Sequence, residues 1–331
     1  MSWSAVLAAA GYWDGGDLLR VPTSGTTGGV RRTVLRTVRS WTDSFDAFTA
    51  ATGIGAQDVV VAAGPPTSLF VYARAHAATV GARTVIGPRW QPALLAGATV
   101  AHLTPTMLGD ALGEEVRPSW EGSLRLVVVA GAALSTALRA RAHAHGLEVV
   151  EYYGAAELSF VAAGRGPLLP FAQVEVETRD DVLWVRSPWT ALGYADGGSG
   201  PLRRDGDWCT VGDRGAVVDG AVVVRGREGG VVTGGVTVVV ADVEAVLRSA
   251  PGVADCAVLG LPHGRLGEVL AAVVVGGERA QVAAHCRAVL PADHRPVRWY
   301  TTDRIPATAA GKHDPVALRR GIETGEVTPW R

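Results

Sequence analysis

A series of short, mainly apolar runs separated by helix-length segments constrains this chain most. Val59-Val60-Val61, Thr84-Val85-Ile86, residues 99–103, residues 124–130 with Leu126-Val127-Val128-Val129, and residues 147–152 are each of strand length. Runs without polar alternation suit strands buried on both faces, as in parallel sheets. Residues 69–80 and 135–145 read as helices, and residues 42–52 as a helix capped by Thr42 or Asp43. Strands alternating with helices predict a mostly parallel α/β sheet covered on both sides. A short helix over residues 3–12 precedes it.

After Gly166 the pattern changes. Val174-Glu175-Val176-Glu177 alternates apolar and polar residues, as antiparallel strands do, and Val182-Leu183-Trp184-Val185 follows it. Asp205-Gly206-Asp207 and Asp219-Gly220 signal tight hairpins. Gly226-Arg227-Glu228-Gly229-Gly230 is a glycine-rich joint able to absorb large φ/ψ changes. Beyond it, residues 242–249 and 279–289 read as helices, and residues 254–259 and 269–275 as strands. The expected organisation is a large α/β domain over 1–226, with a β-rich subdomain at about 167–226, and a small mobile α+β domain over 227–331.

Composition removes several function classes. The net charge is −1, so no basic surface points to nucleic acid or an anionic membrane. Cys209, Cys256 and Cys286 are too scattered for a disulfide framework or a zinc site. They read as reduced thiols of a cytoplasmic chain. The first residues carry no basic signal region, and no apolar run reaches the ~18 residues of a membrane helix.

Four stretches carry candidate chemistry. Thr23-Ser24-Gly25-Thr26-Thr27-Gly28-Gly29 interleaves hydroxyls with glycines after the apolar run Leu18-Leu19-Arg20-Val21. Such a segment can turn N–H and hydroxyl groups inward around a polyphosphate, and Arg31 and Arg32 could hold outer oxygens. It also fits a polar surface loop, and the G-x-x-x-x-G-K-[ST] spacing is absent. Tyr153-Gly154-Ala155-Ala156-Glu157 follows a buried strand, where α/β sheets bind ligands. Glu157 could hold Mg²⁺ between phosphates or simply open a helix, and Tyr153 could stack on a base. Asp213, in the pair Gly212-Asp213, could accept ribose hydroxyls with Arg227 nearby, or form an ordinary turn. Lys312, in Pro306-Ala307-Thr308-Ala309-Ala310-Gly311-Lys312, is the only lysine among 31 basic side chains. A lone compact ammonium on a small-residue loop suits a mobile cation, or an exposed surface lysine.

In this order the stretches resemble the adenylate-forming acyl-CoA synthetases, over about residues 18–320. Residues 23–28 resemble their phosphate loop and residues 153–157 their aromatic-Gly-x-Thr/Ser-Glu motif. Trp208 to Asp213, Gly226-Arg227 and Pro306 to Lys312 resemble the ribose-binding, hinge and C-terminal lysine motifs. Gly234-Gly235 with Asp242-Val243-Glu244-Ala245-Val246-Leu247 resembles the thioester-side segment of the small domain. The resemblance implies an ATP- and Mg²⁺-dependent ligase. A carboxylate would attack the α-phosphate, giving an acyl-adenylate and pyrophosphate, and a thiol, usually coenzyme A, would then take the acyl group. It assigns Lys312 to the reacting carboxylate and phosphate, Glu157 to Mg²⁺, and Asp213 and Arg227 to the ribose. Gly131-Ala132-Ala133 and Tyr153 would line the adenine site, with Gly154 in the same motif.

The chain also departs from that pattern. Arg31 stands where a lysine is usual, Val30 where a proline is, and Ala156 where a hydroxyl precedes the glutamate. The phosphate loop begins at residue 23, where relatives carry about a domain more of chain before it. Two expectations follow: a sheet face or edge left for a homodimer or a partner protein to cover, and an alternative class of member that binds nucleotide or acyl-adenylate without turnover, or passes the acyl group to a carrier protein or an amine.

Overall fold

Ser2 caps α1 (Trp3–Ala9) by accepting from the Ala5 amide at 3.2 Å. The strand β1 (Leu18–Pro22) then pairs antiparallel with β2 (Thr33–Thr37), each burying alternate residues. The computed structural model describes residues 2–23, 32–64, 66–87, 89–113, 120, 122–195, 200–227, 230–233, 236–263, 267–309 and 311–331; the side chains of 226, 227, 232, 233, 236, 237 and 267 are also outside that set. The chain divides into two compact units, residues 1–133 with 142–224 and residues 134–141 with 225–331.

In the first unit, α2 (Arg39–Thr42) and α3 (Phe45–Thr52) are separate helices. This corrects the expectation of one helix over 42–52. Neither Thr42 nor Asp43 caps α3. Ser44 sits at that position and turns its hydroxyl back to the Trp41 carbonyl at 2.6 Å and to the Tyr72 hydroxyl at 2.7 Å. Trp41, Phe45 and Phe48 all lie edge-on to Tyr72, so tertiary aromatic packing sets the break.

The α/β core follows: β3 (Val59–Val61), α4 (Ser68–Thr79), β4 (Arg83–Val85), β5 (Val100–Leu103), α5 (Pro105–Ala111), β6 (Leu126–Val129), α6 (Thr136–Ala144, whose residues up to Arg141 group with the second unit), β7 (Glu148–Ala155), β8 (Ser159–Gly164) and β9 (Leu169–Pro170). These strands form a seven-stranded sheet in the order β4-β3-β5-β6-β7-β8-β9. Pairing is parallel from β4 to β7 and antiparallel from β7 to β9. Val60, Val61 and all four residues of β6 are fully buried within this chain. The expected uncovered face is therefore absent at the strands from which it was argued. At the β4 edge Arg83 is exposed, and a charged residue there discourages strand pairing.

The β-rich part holds β10 (Glu175–Arg179), β11 (Val182–Arg186), β12 (Gly193–Tyr194), β13 (Arg203–Asp205), β14 (Trp208–Thr210), β15 (Asp213–Val218) and β16 (Ala221–Arg227). The β15–β16 turn places Asp219 at φ 49° and Gly220 at φ 78°, the conformation Asp-Gly favours in hairpins. β12 leaves this sheet and pairs with β2, which completes a three-stranded sheet, β1-β2-β12.

The second unit contains β17 (Gly230–Thr233), β18 (Val236–Val239), α7 (Val240–Ser249), β19 (Val253–His263), β20 (Gly267–Gly276), α8 (Arg279–Val289), β21 (Arg298–Thr301), α9 (Pro315–Thr324) and β22 (Thr328–Pro329). Alternate residues of β19 feed two cores: Cys256 and Val258 one, Ala257, Leu259 and Leu261 the other. That alternation is the period-2 signature of a sheet covered on both faces.

One feature of the first core sets its pH response. His76 on α4 and His102 on β5 are both buried, and His102 has no hydrogen-bond partner on either ring nitrogen among the described residues. Burial lowers the pKa of His76 to about 4 and, helped by His76, that of His102 to about 3. Above pH 6.5 both are neutral in either state. Below it the unfolded chain gains protons that the folded one refuses, so stability falls as the pH drops from 6.5 toward 4. Each histidine is expected to cost about 2 kcal/mol at pH 4.5. Urea midpoints at pH 7 and 4.5 check this, and His102→Leu should remove about half of the difference.

Candidate active site

The parallel strands of the large sheet end together, and two predicted stretches sit at those ends. Gly131-Ala132-Ala133 follows β6 and is exposed, with Gly131 at φ 90°. Tyr153 and Gly154 lie near the end of β7, beside β6. Carboxyl ends of parallel strands are where open α/β sheets bind ligands.

Glu157 does not open a helix. It lies in the turn between β7 and β8, which pair antiparallel with a register shift after Tyr153. The turn is tight. Ser159 takes φ 64°, and a Cβ on Gly154 would stand 2.2 Å from the Ser159 carbonyl oxygen. Gly154→Ala must therefore part the two strands. A loss of about 1–3 kcal/mol is expected, together with displacement of Tyr153 and Glu157. A urea melt reads the first, and loss of nucleotide binding the second.

Two pairs of site residues meet. The Tyr153 hydroxyl donates to Asp213 Oδ2 at 2.9 Å, with both residues nearly buried, so the motif on β7 and the start of β15 share one hydrogen bond. The Tyr194 hydroxyl on β12 donates to Glu157 Oε1 at 2.9 Å and accepts from the Leu202 amide at 3.1 Å. Burial first, then the neighbouring Glu157, raise the Tyr194 pKa well above its ordinary value, so the phenol stays a donor. The Glu157 carbonyl also accepts from the Ala191 amide at 2.7 Å.

The hydroxyl-glycine loop joins β1 to β2. Ser24, Gly25, Thr26, Thr27, Gly28 and Arg31 lie outside the described residues, but the base of the loop does not. The Thr23 amide donates to the Arg32 carbonyl at 2.7 Å, and the Arg32 amide to Thr23 Oγ1 at 3.0 Å. Both ends of the loop are thus held on a hairpin.

Arg36 was not among the sequence candidates. It lies on β2, is fully buried, and donates to Ser40 Oγ at 2.9 Å, to the Ala156 carbonyl at 2.8 Å and to the Trp189 carbonyl. It ties the loop's hairpin to the residue before Glu157. Burial lowers its pKa to about 9, against the opposing pull of Tyr72 and Glu157. The sequence did hold a signal: Arg36 falls on the same face of β2 as buried Val34. Tyr194, the other missed residue, gave none beyond the dipeptide Gly193-Tyr194.

Glu157 is a nearly buried carboxylate held by a neutral hydroxyl. Among the described residues no cluster of three His, Cys, Asp or Glu could hold a metal on its own. That donor set suits Mg²⁺, which takes one or two carboxylates and fills its shell with phosphate oxygens and water. Arg227 ends β16, with its side chain outside the described residues.

Lys312 belongs to the second unit, described by itself. Its turn is closed rather than loose. The Thr308 amide donates to the Lys312 carbonyl at 2.7 Å, the Gly311 amide to the Thr308 carbonyl at 2.8 Å, and Ala307 bridges His313.

Two family profiles match the chain: AMP-binding enzyme over residues 20–195 and AMP-binding enzyme C-terminal domain over residues 242–312. The chain belongs to the AMP-binding enzyme family, the adenylate-forming class of AMP-forming acid–thiol ligases. An uncharacterized acyl-CoA ligase of Bacillus subtilis, YhfT, is 30% identical over 338 residues, covering 91% of this chain and 68% of its own length. A salicyl-AMP ligase / salicyl-S-ArCP synthetase of Mycobacterium tuberculosis is 31% identical over 395 aligned positions, covering 100% of this chain and 67% of its own. Among solved structures, an E. coli MenE variant with bound OSB-AMS superposes with TM-score 0.77 at 25% identity, over 94% of this chain and 70% of that one. The amide bond synthetase McbA of Marinactinospora thermotolerans gives 0.71 at 28% identity, over 88% and 68%. Among the described residues no helix is long and apolar enough to cross a membrane.

Proposed function

We propose that this chain activates a carboxylic acid with ATP, releasing pyrophosphate, and passes the acyl group from the adenylate to a thiol, most simply that of coenzyme A. The observation that carries the reading is the pairing of Tyr153 with Asp213 and of Tyr194 with Glu157 at the carboxyl ends of the sheet. The first step brings a carboxylate against a triphosphate, so catalysis is positioning and charge stabilisation. Residues 23–28 would hold phosphates, Asp213 and Arg227 the ribose, and Tyr153 with Gly131, Ala132 and Ala133 the adenine. Glu157 would hold Mg²⁺, which supplies charge neutralisation across the phosphates when bound. Lys312 would meet the reacting carboxylate and α-phosphate. A cytoplasmic setting, a mobile domain from residue 227 and self-association belong to the same proposal; light scattering behind size exclusion separates a monomer from a dimer.

ATP–pyrophosphate exchange over a panel of carboxylic acids tests the first step. A chase with coenzyme A, a pantetheinylated carrier protein or an amine then tests the acceptor. The binding-only reading rests on Ala156, whose side chain offers no phosphate contact. It predicts calorimetric nucleotide binding with no exchange for any acid.

A further inference from the structure

The turn that carries Lys312 is pinned by its neighbour. His313 Nε2 stands 2.9 Å from Asp255 Oδ2 on β19, with both side chains mostly buried. Asp255 Oδ1 accepts from the Cys256 amide at 2.8 Å, so the carboxylate is itself fixed to the strand. Ala307 bridges His313 on the other side, and the Asp314 amide donates to the Pro306 carbonyl at 2.8 Å. Asp314 then caps α9 through the Val316 and Ala317 amides. Lys312 thus lies between a closed turn and a capped helix, and the His313–Asp255 tie from this segment to the sheet is titratable.

Resting on the reading of Lys312 above, we propose that His313 is its positioning residue: the imidazolium–Asp255 pair holds the turn on β19 and sets where the Lys312 ammonium stands.

The charges around His313 favour the protonated form. Burial alone would lower its pKa, but the hydrogen bond and charge of Asp255, with Glu244 on α7 adding to them, outweigh burial and Arg248, and the pKa lies above its usual value. Glu244 is partly engaged, accepting from the Val258 amide at 2.9 Å and pairing with Arg248 at 3.4 Å. The ion pair is therefore complete below pH 6.5 and lost as the pH rises through the raised pKa. A turn released by that loss moves the ammonium, and misplacement of about 1 Å can cost about 10²-fold in rate.

The single lysine allows a test that does not depend on turnover. Reductive ¹³C-methylation labels Lys312 and the α-amine alone, and the signal absent in Lys312→Arg is that of Lys312. The Lys312 signal is expected to step with pH at the His313 midpoint in the wild type, to lose that step in His313→Gln, and to step at lower pH in Asp255→Asn. Exchange at pH 6 should fall about 10- to 100-fold in His313→Gln, with KM for ATP within about twofold. The double variant should be no worse than His313→Gln, as residues acting through one pair are not additive. A Lys312 signal blind to His313, or one unchanged in His313→Gln, overturns the proposal. Wild-type exchange in Lys312→Ala would instead overturn the role given to the lysine, leaving the coupling to be read from the labelled signal.

Discussion

Lys312→Ala loses adenylate formation by at least about 10²–10³-fold, the usual effect of removing one donor aimed at developing charge. Stability should change by less than about 1 kcal/mol, because the turn is held by backbone bonds at Thr308 and Gly311 and by His313. Lys312→Arg is expected to fail as well. A planar fork cannot replace a compact ammonium between two anions, although it keeps the charge. Pyrophosphate exchange on both variants, beside a thermal melt, gives the answer; wild-type exchange in either removes Lys312 from the chemistry.

Arg36→Met is the second large effect, and its two readouts should separate. Removing the guanidinium leaves the Ala156 and Trp189 carbonyls without this partner, at about 1–3 kcal/mol each. It also relieves a buried charge. Burial, which lowers its pKa to about 9, carries a desolvation cost of about several kcal/mol. The opposing terms are similar, so net stability should shift by no more than about 2 kcal/mol. Activity has no such offset. Ala156 directly precedes Glu157, and freeing its carbonyl lets the Glu157 turn move against the β1–β2 hairpin. Adenylation is expected to drop about 10²-fold with a raised Mg²⁺ requirement. Arg36→Lys should recover little, since one ammonium cannot reach all three acceptors. A large loss of stability with normal activity in the remaining folded fraction would contradict this account.

Much of the fold was legible because its signals are local. The runs at Val59 and Leu126 are apolar throughout and that at Val100 is apolar but for His102, and they became parallel strands buried on both faces. Asp219-Gly220 demands positive φ at both residues and made the hairpin expected of it. The helix over 42–52 failed for a non-local reason, since Tyr72 and its aromatic neighbours outweigh the propensity of residues 43 and 44. That Glu157 sits in a turn and does not open a helix has a similar, non-local cause. A single strand's composition does not say whether the next element returns antiparallel, and β7 pairs parallel on one side and antiparallel on the other.

What the sequence alone determined is which chemical groups are present and in what order: a hydroxyl-glycine loop, a lone acidic residue after a buried strand, Gly212-Asp213, and one lysine near the end. Residue type and spacing are written in the chain, and the physics of phosphate and carboxylate recognition restricts what such groups can do. Only the tertiary structure decided their partners. Tyr153 reaches Asp213 sixty positions away, Arg36 holds a carbonyl 120 positions away, and Asp255 grips the residue beside Lys312. Such bonds depend on strand order and register, which arise from burial summed over a whole sheet and leave no mark at either end of the bond.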